Sequence, residues 1–292
     1  MAEYKSRRIV GWVVVNENGE ITNRNPSKDE LIKFSMEPYK HGNARKYKKY
    51  TNEQLLWYLM QFYKKYGRPP GRRDFINNSE YPDYQNYKTR FGSWSNALKL
   101  VGLDVDSMIR KGIIENEYQK GRFGEILIRD HFEKNSTDLA GENCNSPCDG
   151  ICPNRMTYDV KSSKLYVGRY YYFGTDNKCK DDIEIFYLLG FNEDYTKLDY
   201  GWRIPGEIVE SSRFYVGLND CSRAKFTVDD MKQYDITEKL RDVLNKYGYF
   251  EKIKNYRKAK EKGLTIYEYD KQLYDGCIVT ESDIIKICQN LK

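Results

Sequence analysis

The stretch CDGICPNRMTYDVKSS, residues 148–163, constrains the fold more than any other part of this chain. Two short apolar runs flank Pro153-Asn154-Arg155, and those turn residues predict a strand hairpin. Each run carries one acid. With the turn centred on Asn154, Asp149 and Asp159 are equidistant from it and lie opposite each other, Cβ atoms roughly 5 Å apart. Two facing carboxylates repel unless a counter-charge sits between them. Asp159 and Lys161 are two positions apart in a strand and so share a face. A divalent cation between the acids, with Lys161 beside it, relieves the repulsion, so the spacing favours a metal site over a chance hairpin.

Three cysteines crowd the same region. Cys144, Cys148 and Cys152 repeat at a four-residue interval, and Cys179 could supply a fourth thiolate. Zinc sites pair cysteines two to four residues apart through a knuckle turn. In the hairpin, Cys148 and Cys152 take the face opposite Asp149, where core packing is expected, and free cysteine is a common small buried residue. Zinc and plain core both stay open. Seven cysteines is an odd number and no export signal is apparent, so no disulfide framework is expected. The chain holds two histidines, His41 and His131, which leaves carboxylates and lysine as its catalytic vocabulary.

Charge is unevenly spread. Residues 39–112 hold fifteen Lys or Arg against six Asp or Glu, residues 1–38 balance six against six, and the remainder is slightly acidic. A basic segment beside near-neutral ones suggests a polyanion-gripping module, the plainer reading being a solvated basic face. No apolar run approaches the ~20 residues that span a bilayer, so a soluble cytoplasmic protein is expected, with no membrane partner. The chain divides into residues 1–50 (a hairpin over 9–23, a short helix over 26–37, a basic loop), a helical module over 51–112, and an α/β unit over 113–292.

In the helical module, Thr51-Asn-Glu-Gln caps a helix bearing Leu55, Leu56, Leu59, Met60 and Tyr63 at helical spacing. Gly67-Arg68-Pro69-Pro70-Gly71 stops it, and two short helices and a final one over 94–100 follow. With YGRPPGRRDF and RFGSWSNALKLVGL at their offsets, residues 51–103 resemble the homing-endonuclease-associated repeat. That resemblance implies a DNA-binding attachment to a nuclease. Arg72, Arg73, Lys88, Arg90, Ser93 and Asn96 are its candidate DNA contacts, cations for phosphates and Asn or Arg for base edges. Trp57, Phe75, Phe91 and Trp94 read as its small core.

Glu125 follows Gly121-Arg-Phe-Gly124 on a helix expected over 116–135, where two small residues would let the helix approach the sheet closely. The set Glu125, Asp149 and Asp159-Val160-Lys161 resembles the PD-(D/E)xK nuclease superfamily, with CDG in place of its PD and DVK as its second motif. DIEIFYLLGF and GWRIPGE look like its later strands. The resemblance implies a restriction-endonuclease-like core, a central mixed sheet flanked by helices in an α/β (α+β) fold. It also implies Mg²⁺, with Mn²⁺ as substitute, held by Asp149, Asp159 and the Val160 carbonyl. Lys161 would orient or deprotonate the attacking water, and Ser162 is a candidate phosphate contact. The expected function is a Mg²⁺-dependent, sequence-specific endonuclease of restriction or homing type acting on duplex DNA, plausibly as a homodimer. The alternatives are a non-catalytic DNA-binding regulator on a nuclease-like fold, or a nuclease for RNA or branched DNA.

Overall fold

The computed structural model describes the backbone at residues 14–15 and 21–23, and residues 50–76, 78–139, 146–175, 183–209, 212–273 and 279–291 in full. The chain divides into two compact units, Met1–Thr51 and Asn52–Lys292. In the first, β1 (Val14–Val15) and β2 (Ile21–Asn23) form an antiparallel pair. The helix expected over 26–37, the basic loop that follows, Cys144 and Cys179 lie outside the described residues.

The second unit opens with short helices whose ends are written in the sequence. Helix α1 (Asn52–Tyr66) carries Glu53 in its first turn and Lys64 and Lys65 in its last, charges that match the helix dipole. Gly67, at φ 65°, ends it in the left-handed conformation that glycine adopts without strain. Arg68 then makes a two-pronged ion pair with Asp74 (2.9 and 2.8 Å), and Asp74 also accepts the Gly71 N–H, so the Pro-Pro turn is tied into α2 (Arg72–Phe75). Helices α3 (Tyr84–Phe91), α4 (Trp94–Leu100) and α5 (Val105–Arg110) start at Asp83, Ser93 and Asp104, each accepting a backbone N–H of the first turn. Phe75, Tyr87 and Trp94 form the small core between them, ring centroids 5.0–5.6 Å apart.

Beyond them stands a mixed α/β assembly. Helix α6 (Glu117–His131), capped by Asn116, precedes eight strands: β3 (Thr137–Asp138), β4 (Gly150–Ile151), β5 (Thr157–Tyr166), β6 (Tyr170–Gly174), β7 (Ile185–Phe191), β8 (Leu198–Pro205), β9 (Arg213–Gly217) and β10 (Phe226–Thr227). Strand β7 runs parallel to β5 and antiparallel to β8. All seven of its residues are buried, as an apolar run covered on both faces requires. One face, through Tyr158, Val160, Ile185, Tyr187 and Leu189, packs on α6, α7 (Thr237–Lys246) and α8 (Tyr249–Glu261). The other, through Phe186, Leu188 and Trp202, packs on Tyr171 and Phe173 of β6 and on Phe214 and Val216 of β9. The chain is thus a helical amino-terminal region followed by a central mixed sheet flanked by helices.

Two last helices, α9 (Ile266–Leu273) and α10 (Glu281–Gln289), return to α1. Tyr63 of α1 donates to Asp270 of α9 (3.0 Å), and Trp57 donates to Glu281 of α10 (3.1 Å). Among the described residues, no helix is long and apolar enough to cross a membrane.

Candidate active site

Strand β5 is the longest in the sheet, and it forks. Its first residues pair with β4 (Gly150 with Tyr158, Ile151 with Thr157) and its last with β6 (Leu165 with Tyr171, Tyr166 with Tyr170). Between these ends, Asp159–Lys164 have β7 alone as a strand partner among the described residues. The β4–β5 register ends at Gly150 and Tyr158, one residue short of Asp149 and Asp159. There the ladder changes character: the Asp149 carboxylate, instead of a backbone carbonyl, accepts the Val160 N–H at 2.7 Å. The Asp149 N–H still donates to the Tyr158 carbonyl (3.0 Å), so the side chain replaces a bond where β4 turns away.

Asp159 is 5 % exposed and holds the Lys161 ammonium at 2.6 Å, two residues along the same face. Burial pushes the Asp149 carboxyl up to about 8, and the charges of Asp159 and then Glu125 push in the same direction against Lys161 and the Val160 N–H. At Lys161, burial works against the charge, but Asp159 and then Asp149 outweigh it and hold the ammonium above its ordinary range. Lys161 is therefore held as an ammonium beside Asp159. Glu125 lies within electrostatic reach of both groups, and Arg122 grips it at 2.7 Å.

Arg122 is itself 5 % exposed, the centre of a network the sequence pattern marks only by its three-residue spacing from Glu125. It donates to Asp106 of α5 (2.8 and 2.9 Å) and to Asp138 of β3 (3.1 and 2.6 Å) as well as to Glu125. Arg129 adds ion pairs to Asp106, Asp130 and Asp138. Glu125 is thus anchored from behind, on the helix beside the fork.

The donors suit a hard cation. Among the described residues, no three His, Cys, Asp or Glu side chains converge as a ready-made metal cage. Mg²⁺ does not need one, because it is commonly held by one or two carboxylates with water and substrate phosphate completing its shell. Asp149 feels the charges of Asp159 and Glu125 more than Lys161 offsets them, which is the imbalance such an ion corrects.

Cys148 and Cys152 are buried in the cores on opposite faces of the sheet, not on the one face expected, so they do not point to a common ligand. Strand β4 turns away at Asp149, which breaks the alternation that would have kept them together. The Cys152 thiol donates to Glu133 (3.1 Å). Ser162 faces α6: a Cβ on Gly124 would stand 2.3 Å from its Oγ, whereas one on Gly121 would meet nothing within 4 Å. One glycine, not two, sets the close approach of helix and sheet. The Ser162 Oγ is buried and has no hydrogen-bond partner among the described residues.

In the helical region, Arg72, Arg73, Lys88, Arg90 and Asn96 are exposed. Ser93 accepts the Asn96 N–H (3.0 Å) and the Asn96 side chain donates to the Phe91 carbonyl (3.1 Å), so both shape the turn into α4. Residues 50–104 match the family model of the homing endonuclease associated repeat, a nuclease-associated, DNA-binding context. The match covers the helical region and leaves the sheet unmatched. No curated protein matches the chain.

Proposed function

We propose that the chain is a Mg²⁺-dependent DNA endonuclease, the repeat gripping duplex DNA and the fork of β5 hydrolysing a phosphodiester bond. The observation that supports the reading is the Asp149 carboxylate on the Val160 N–H (2.7 Å) beside the Asp159–Lys161 ion pair (2.6 Å), where β5 has β7 alone as a strand partner among the described residues. Asp149, Asp159 and the Val160 carbonyl would hold the cation. When bound, it would supply Lewis-acid stabilisation of phosphate charge and a lowered pKa for the attacking water. Lys161, held charged, orients that water and offsets phosphate charge. Glu125, held by Arg122 at 2.7 Å, would accept a hydrogen bond from water near the same ion. Arg72, Arg73, Lys88 and Arg90 supply phosphate contacts, and sequence specificity of restriction or homing type would come through this module. A cut through both strands needs two such sites, which a homodimer provides.

Incubation with plasmid DNA and Mg²⁺ tests this. The wild-type protein should cut, while Asp159→Asn and Lys161→Ala should lose cleavage by at least about 100-fold and keep DNA affinity. Cutting by both variants at the wild-type rate sinks the site assignment. A second reading, a DNA-binding protein without catalysis, draws on the closed Asp159–Lys161 pair. It predicts salt-sensitive DNA binding with no scission in Mg²⁺ or Mn²⁺.

A further inference from the structure

Past the fork, β5, β6 and β9 form a ribbon whose inner residues, Tyr171, Phe173, Phe214 and Val216, belong to the core. Strand alternation then puts Tyr166, Tyr170, Tyr172 and Tyr215 together on the outer face. Their rings touch in a continuous patch. Tyr166 and Tyr170 lie 6.2 Å apart and within 17° of parallel, Tyr172 and Tyr215 are 5.1 Å apart, and Tyr170 and Tyr215 are 5.6 Å apart. Tyr166 is 39 % exposed, and Val167 at the hairpin tip is 80 % exposed. Outward positions of a solvated ribbon are ordinarily polar, so four adjoining phenol rings there call for a partner.

The charge around the patch says which partner. Residues 164–174 and 213–228 carry five Lys or Arg and one acid, Asp220. Arg223 donates to the Tyr170 hydroxyl (3.0 Å), and Arg169 is exposed at the hairpin tip. Flat π-faces ringed by cations fit a polyanion that offers flat faces of its own. We infer that this tyrosine ribbon is a stacking platform for unpaired bases of single-stranded DNA, with the surrounding arginines on its phosphates. Bases inside a duplex are already stacked and cannot use it. The inference builds on the nuclease reading: Lys161 and Tyr166 are five residues apart on β5, about 17 Å at ~3.3 Å per residue, and this odd spacing puts them on opposite faces, so a bound strand reaches the platform around the edge that the fork leaves open. A short run of nucleotides links the platform to the fork, so the favoured substrate has an unpaired strand beside the cut, as in branched or gapped DNA.

The test is anisotropy with the full-length protein in EDTA, using a fluorescein-labelled oligothymidylate and, separately, a blunt duplex. Tyr166→Ala and Tyr170→Ala should each weaken oligothymidylate binding about 5- to 150-fold and change duplex binding less than about two-fold, with Tyr166→Phe and Tyr170→Phe close to wild type. Equal losses in the Ala and Phe variants, equal losses on duplex, unchanged affinity in the Ala variants, or tighter binding of oligouridylate would each overturn the platform. Tyr166 is exposed enough for its variants to fold, and thermal melts verify this. Because EDTA removes catalysis, the result is separable from the nuclease reading: the cleavage assay can fail while the platform binds, and the reverse.

Discussion

Gly124 and Ser162 meet where α6 lies on β5, and the contact leaves no room for a methyl group. Gly124→Ala places a Cβ 2.3 Å from the Ser162 Oγ and 3.1 Å from a Leu189 methyl. Overpacking of this kind costs about 1–3 kcal/mol, offset by about 1 kcal/mol of helix propensity, so a net loss up to about 2 kcal/mol is expected in urea denaturation. Ser162→Ala removes a buried hydroxyl without a partner and should be neutral or slightly stabilising; combined with Gly124→Ala it should recover part of the loss. The same variant bears on Ser162 as a phosphate contact, since unchanged DNA affinity would end that role. Asp149 gives a pH signature. Its folded carboxyl titrates near 8 against about 3.9 in the unfolded chain, so the folded state binds the extra proton between those values. Without metal, stability should therefore fall as pH rises from about 4 to 8, and Asp149→Asn should flatten that slope in denaturation curves taken in EDTA.

Between elements, the Arg122 network joins α5, α6 and β3 through side chains that are largely buried. Removing one partner of such a cluster typically costs about 3–5 kcal/mol, and Arg122→Gln is expected to fall in that range by chemical denaturation. Asp106 and Asp130 sit below their ordinary pKa: burial opposes this, but Arg122 and Arg129 respectively, with the charges around them, prevail. Their contribution is present above about pH 4 and is lost as pH falls through the lowered values, so the wild type should lose more stability below pH 4 than Arg122→Gln does. None of this network is visible in a linear pattern, because Asp106, Arg122 and Asp138 meet only once three elements have packed. The β4–β5 register is the opposite case: Gly150 on Tyr158 is a local count from a three-residue turn. Helix ends were legible for the same reason, each being set by one capping side chain or glycine within a few residues. Strands β9 and β10, five and two residues long, were not: β9 owes its place to β6, some forty residues earlier, and β10 owes its place to β9. Which of Tyr166, Tyr170, Tyr171, Tyr172 and Tyr215 face the core follows only from the β5–β6–β9 pairing.

Across the whole molecule, the amino-terminal repeat and the carboxy-terminal helices are one packing unit. Asp270 is 2 % exposed and accepts from Tyr63 (3.0 Å) and Lys111 (2.8 Å), so α9 is clamped to α1 and to the end of α5. Asp270→Ala, which removes that carboxylate, should cost about 3 kcal/mol and weaken DNA binding through the repeat, checked by denaturation and anisotropy on one preparation. The clamp also has a consequence in time. Trp57 waits for Glu281, 224 positions downstream. A ribosome adding about 5–20 residues per second reaches that point on the order of 10–45 seconds after α1 has been made. Until then, the flank of α1 that carries Trp57 lacks its partner on α10, so the module is finished only after a segment 224 positions downstream has been made.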